Sequence, residues 1–151
     1  MAIRENEARL ASWKGGNMRN AIPRESEAIV TVPADDVDEL QGLVDYCADM
    51  FAEEYRGVEE HIVMTMERVD MPAVQVPEEI QDNVLDAIVA CHDGVLRYIP
   101  SIPHIVETSS NLAIVNVTPE RAEVLILARS SSESMMDYVG TMLESCFNMA
   151  G

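Results

Sequence analysis

What most limits the folds open to this chain is the order in which two hydrophobic periods alternate along it. Residues 9–14 alternate apolar and polar around Leu10, Ala11 and Trp13, and residues 28–32 are rich in β-branched residues and end at Pro33. Both read as strands. Val37, Leu40, Val44, Cys47 and Phe51 then recur at helical spacing, a stripe that predicts an amphipathic helix. Ile62, Met64 and Met66 alternate with polar or smaller neighbours and predict a third strand. A second stripe follows at Ile80, Val84, Ala87, Ile88 and Cys91. Residues 112–117 and 123–128 read as two more strands, and a last stripe runs from Met135 to Phe147. The order is β-β-α-β-α-β-β-α. Neighbouring strands joined by short turns pair antiparallel, and helices with one stripe each cover one face of the resulting sheet. The expected fold is α+β: an antiparallel β-sheet with helices on one face, a ferredoxin-like two-layer sandwich. The other face is left to water or to a partner.

Punctuation refines the boundaries. Asp35 or Asp36 can cap the first helix and Gly57 can close it. Pro77 suits the first turn of the second helix, and Gly94 is placed to stop it. Residues 94–111, with two prolines and a hydroxyl cluster, read as a loop with short extended pieces. A turn is expected at 118–121, and the run Ser130-Ser131-Ser132-Glu133 matches a capping box, its serines read as helix-capping. The acidic residues of the first helix, Asp45, Asp49, Glu53 and Glu54 among them, read as a solvated face.

One stretch belongs to neither period. Gly15-Gly16-Asn17-Met18-Arg19-Asn20-Ala21-Ile22-Pro23-Arg24-Glu25 makes a poor core and a good polar loop. The paired glycines permit positive φ and close approach by another group. The loop is longer than an ordinary hairpin connection, and long ordered loops tend to be functional.

Composition excludes some classes of function. With 151 residues, 48% of them apolar, the chain is sized for a single domain, 1–151, with its own core. A net charge of −17 argues against nucleic acid and against anionic membranes as partners, since both need clustered Lys and Arg. No apolar run reaches the length of a membrane span, and residues 2–7 lack a signal-peptide apolar core. Cys47, Cys91 and Cys146 are odd in number and fall on apolar stripes, which predicts buried free thiols in a reducing compartment, the cytoplasm by default. The ten methionines fit gap-filling in the core.

The usual catalytic parts are missing. His61, His92 and His104 are isolated, and the chain has no His-Glu-x-x-His, Cys-x-x-Cys, Gly-x-Ser-x-Gly or phosphate-cradling glycine loop. No catalytic residue and no metal ligand is assigned. Arg129 stands out, because a guanidinium between a strand and a capped helix favours an anion, and Arg binds a carboxylate through two parallel hydrogen bonds. The plainer reading of Arg129 is a surface ion pair, and that of Asn20 is a loop asparagine bonded to its own backbone.

Three stretches together resemble the aminoacyl-histidine dipeptidases, also called Xaa-His or cytosol non-specific dipeptidases, of the di-zinc metallopeptidase superfamily. They are residues 15–25, the run from Gly94-Val95-Leu96-Arg97 to Val106-Glu107-Thr108-Ser109-Ser110-Asn111-Leu112, and Arg129-Ser130-Ser131. The likeness runs from about Arg9 to Gly151. In that family a catalytic domain holds two zinc ions and a smaller lid domain is inserted into it, and this chain resembles only the lid. The resemblance implies no cofactor in this fragment and two zinc ions in the parent enzyme. The implied partners are the catalytic domain and a dipeptide substrate, with a homodimer possible. The family's lid opens with a His-Ser-Gly segment that does not occur here, so the chain looks trimmed inside the lid, without its first strand and helix. Position by position, Asn20 resembles the lid residue that hydrogen-bonds substrate, and Arg129 the arginine that grips its carboxylate. Thr108 and Asn111 lie in a shared motif and are further substrate-binding candidates without an assigned role. The implied function is substrate recognition within a zinc dipeptidase, with the fragment itself inactive. The alternative is a stand-alone ferredoxin-like module for small-molecule binding or dimerisation. The lid reading requires Asn20 and Arg129 to converge on one rim.

Overall fold

A computed structural model describes residues 7–151; residues 1–6, on which most of the signal-peptide reading rests, lie outside the described residues. Strands β1 (Arg9–Gly15) and β2 (Ser26–Thr31) form an antiparallel pair around the polar loop. A 3-10 turn (Ala34–Asp36) leads into α1 (Val37–Glu54), and α2 (Glu78–Ala90) follows. Then come β3 (Gly94–Ile99), β4 (Ile102–Val117), β5 (Ala122–Ser130) and α3 (Glu133–Met149). All five strands join one antiparallel sheet.

Sixteen-residue β4 organises that sheet. Its residues 108–117 pair with β5 on one side. On the other side its first half pairs with β3, and Val115–Val117 pair with Gly15–Trp13 of β1. β1 and β3 therefore lie end to end along the same edge of β4, with a gap opposite residues 111–114.

Side chains alternate along β4 as a strand requires, with one reset. Register with β5 shifts between Leu112 and Ile114, so Ala113 is a β-bulge that restores the phase of everything after it. Thr108 and Ser110 before the bulge, and Ala113, Val115 and Val117 after it, are consequently all buried. They face the helices. Leu10, Val76, Val115 and Val117 form the centre of the core, with Trp13, Val30, Val84, Ile88, Leu112 and Val124 packed around them. Full burial of each such side chain stabilises by roughly 2 kcal/mol. α2 is pinned to β1 by polar contacts. The buried Gln81 accepts from the Leu10 N–H (2.6 Å) and donates to the Ala8 carbonyl (3.4 Å). Arg9 reaches Glu78 (3.2 Å) and the Val76 carbonyl (3.1 Å). α3 lies over β5 and β4 and touches α2.

The α+β class and the antiparallel sheet follow the sequence reading, and several local expectations do not. Residues 62–67 form no strand; the chain from 59 to 77 is irregular, and it meets the sheet through an isolated backbone bond, Val76 N–H to the Leu10 carbonyl (2.7 Å), and a bond from the Gln75 side chain to the Thr31 hydroxyl, without a ladder. Residues 94–111, expected as a loop, are instead β3 and most of β4. Pro100 occupies the β3–β4 turn. Pairing then passes from Ile102 directly to Val106 while β3 advances one residue, so Pro103 sits where no ladder N–H is needed. Neither Asp35 nor Asp36 caps α1 through its side chain. Pro77 is the residue before α2 rather than within its first turn, and Gly94, at φ +106°, opens β3. Ser132, not Ser130, caps α3 by accepting from the Met135 N–H (3.4 Å). The α1 stripe is shallow, with Leu40 its one buried member. The cysteines are free, but Cys91 is buried while Cys47 and Cys146 are half-buried.

Candidate functional site

The polar loop rises from the gap in the sheet. β1 ends at Gly15, opposite Val115, and the next residue turns sharply. Gly16 adopts φ +67°, and a Cβ there would stand 2.0 Å from the Ala113 carbonyl oxygen. Only glycine fits so close to the β4 bulge. The Gly16 N–H donates to the Glu25 carbonyl (3.0 Å) and closes the root of the loop. At its tip the Ala21 N–H donates to the Met18 carbonyl (3.3 Å), a turn with Arg19 and Asn20 at its centre, where asparagine is favoured. Asn20 is exposed. Residues 16–18 and 21–25 line a shallow hollow of about 310 Å³.

Asn111 ties this loop down, its side-chain N–H donating to the Ala21 carbonyl at 2.9 Å. Asn111 lies on the face of β4 opposite Thr108 and Ser110, so the loop folds over the side of the sheet away from that buried layer. Arg129 is on that side too. It pairs with Ser109 across the β4–β5 ladder, and directly opposed residues of an antiparallel pair share a face. Asn111 and Arg129 are diagonal neighbours in that ladder, roughly 7–8 Å apart. The turn carrying Asn20 and the strand end carrying Arg129 thus lie over one face. Arg129 is exposed, and among the described residues it has no ion-pair partner.

Thr108 points the other way. It is fully buried, and its hydroxyl bonds the Ser130 hydroxyl at 2.9 Å. Ser130 in turn donates to the Ser132 carbonyl and accepts from the Ser132 N–H, both at 3.0 Å. Neither Thr108 nor Asn111 therefore has an unengaged side chain: one is closed off from solvent and the other holds the loop.

Sequence reasoning missed other polar partners of β4. Ser110 is buried, donates its hydroxyl proton to the His92 carbonyl (2.7 Å) and meets His92 Nδ1 at 2.7 Å. That proton is already used, so Nδ1 carries its own and donates. Asp93 accepts the Leu112 N–H (2.8 Å), which satisfies the backbone beside the gap. Arg97 pairs with Glu107 (3.3 Å), whose side chain is nearly buried. The Gly94-to-Asn111 hydroxyl cluster was the available signal, and its reading as a loop hid these partnerships.

Burial pushes the Cys91 thiol up to about 11, with Cys146 and Asp93 adding smaller effects in the same direction; such a thiol is a poor nucleophile. Among the described residues no three His, Cys, Asp or Glu converge as a metal-ligand set, and no helix is long and apolar enough to cross a membrane. A larger hollow, about 380 Å³, lies between Ile80, Val84, Phe147 and the 118–121 turn. It is at the opposite end of β5 from Arg129, roughly 20 Å away at about 3.3 Å per residue.

No protein-family model matches the chain. Over 147 residues, 97% of its length, it is 33% identical to the cytosol non-specific dipeptidase of Escherichia coli (strain K12), of which it spans 30%. The crystal structure of aminoacylhistidine dipeptidase from Vibrio alginolyticus superposes on 99% of this chain with a TM-score of 0.95 at 34% identity, again over 30% of that protein. The resemblance read from the sequence is thus met in both sequence and fold, over less than a third of each relative.

Proposed function

We infer, from the premise that this chain is a dipeptidase-related domain matching 30% of such a protein, that it is the lid of a zinc dipeptidase acting on Xaa-His and related dipeptides. The observation that carries this reading is Arg129: an exposed guanidinium without an ion pair among the described residues, on the same open face as the turn that holds Asn20. A chain with a formal net charge of −17 has many carboxylates that could neutralise a surface arginine. An arginine that makes no ion pair with the described residues is available for a carboxylate from outside.

In this reading Arg129 takes the substrate's free C-terminal carboxylate through two parallel hydrogen bonds, and the Asn20 side chain bonds the peptide unit. Both act by orienting a substrate whose scissile bond is attacked elsewhere. Two zinc ions would belong to the rest of the parent protein, as the resemblance to the dipeptidase family implies. The chain's part is to bind, orient and help exclude water when the two domains close. Free thiols accord with a cytoplasmic setting. Sharing of one face by the Asn20 turn and Arg129 favours the lid over a stand-alone binding or dimerisation module, which has no need to bring them together.

The chain by itself is expected to be inert. After dialysis it should hydrolyse no Xaa-His dipeptide and should hold far less than one zinc per chain by elemental analysis. Robust hydrolysis by the isolated chain would overturn the reading.

A further inference from the structure

Asn20 and Arg129 are 109 residues apart in sequence, yet each is held in place through its immediate neighbour by a side chain of the same strand. Asn111 donates to the carbonyl of Ala21, next to Asn20. Thr108 bonds the hydroxyl of Ser130, next to Arg129. The two β4 residues are three apart, so they leave the strand on opposite faces. One reaches up to the loop and the other down to the point where β5 gives way to α3. We propose that Thr108 and Asn111 are positioning residues, and that β4 acts as a ruler fixing the span between the two groups that hold the substrate. The proposal rests on the lid reading and concerns the same site.

The supports are not interchangeable with ordinary packing. The loop is fastened at its root, by the Gly16 N–H to the Glu25 carbonyl and by the approach of Gly16 to Ala113. Its tip is fastened to the sheet through Asn111. Without that bond Asn20 rides on a turn closed by a single 3.3 Å contact. At the other end Ser130 bonds both backbone groups of Ser132, and Thr108 anchors that small knot to a rigid, fully buried position. Removing the Thr108 hydroxyl frees the knot that sets the direction of the chain just after Arg129. Between Thr108 and Ser110 β4 is paired on both sides, and at Asn111 it is still laddered to β5, so this short extended span keeps its length, at about 3.3 Å per residue. A span fixed by β4 is therefore preorganised before substrate arrives.

The test uses the parent enzyme, with Arg129→Ala as reference. Asn111→Asp keeps size but cannot donate, and Thr108→Val keeps shape but has no hydroxyl. Each should lower kcat/KM for a dipeptide about tenfold, as misplacement of a clamping group does. The loss should lie in KM more than in kcat, with the melting temperature little changed. Thr108→Ser should restore activity to within about twofold of the wild type, since the hydroxyl is what matters. Ser130→Ala removes that bond together with both bonds to Ser132, and it replaces Thr108→Val should that variant not fold. On the 151-residue chain, amide exchange at 19–22 should quicken at least tenfold in Asn111→Asp while that of Val115 and Val117 holds. If Arg129→Ala is harmful but Asn111→Asp and Thr108→Val or Ser130→Ala behave as wild type, the ruler is wrong and the lid survives. If Arg129→Ala is itself harmless, the lid reading fails first.

Discussion

Strand β4 and the stretch between α1 and α2 are both rich in apolar residues, and both contain an alternating run, yet they end in opposite states. β4 pairs along most of its length with strands on each side and buries Thr108, Ser110, Ala113, Val115 and Val117. The chain from 59 to 77 forms no ladder and touches β1 through the Val76 N–H to the Leu10 carbonyl; Val63 and Met71 are each 81% exposed, and only Val76 near its end is fully buried. Alternation gives a segment a face, but a strand exists only where a neighbouring edge supplies hydrogen bonds. The lesson is that pairing and burial in this molecule are concentrated along β4, where the candidate site is built.

Two glycines put that contrast to a direct test, because both have positive φ. Gly57, just past α1, would meet nothing if given a Cβ, whereas Gly16 would collide with the Ala113 carbonyl. Gly57→Ala should cost about 1 kcal/mol, the ordinary penalty of a left-handed alanine. Gly16→Ala should cost roughly 3 kcal/mol, the added part coming from a backbone that has to shift. Urea denaturation of the two variants reads the difference, and equal costs would mean that the loop root is not held by the bulge.

A smaller effect sharpens the same comparison from the packed side. The Cys91 thiol is raised from 9.0 to about 11 by burial. The unfolded chain therefore ionises there first, and stability falls as pH rises from about 9 to about 11. Below pH 9 the contribution is fully present. Replacing the thiol in Cys91→Ala should flatten the alkaline limb of a stability-versus-pH curve, and an unchanged limb would place the titrating group elsewhere.

The sheet, its antiparallel sense, the three helices and the polar loop were legible because each is written in local periodicity or in glycine. The expected close approach at the paired glycines is met at Gly16. What could not be read was anything decided by a distant partner. Pro100 and Pro103 look like loop residues until β3 is seen to place one in a turn and the other outside the ladder. Ile62 to Glu67 look like a strand until no edge receives them. The bulge at Ala113 leaves no mark in the local pattern, yet it keeps Val115 and Val117 in the core. At the site, Arg129 could be singled out from its chemistry, and Asn20 only through the family resemblance. Their common face depends on the register of β4 with β5 and on one hydrogen bond from Asn111, neither of which a sequence displays.

The central claim is that Arg129 receives the acidic end of a peptide. The measurement that tests it most directly is kcat/KM in the parent enzyme for matched dipeptides ending in a free carboxylate or in an amide, with and without Arg129→Ala. Losing a bidentate charge-assisted pair should cost the free acid about 100-fold and leave the already weak amide substrate nearly unchanged. Equal losses for both substrates would contradict the account.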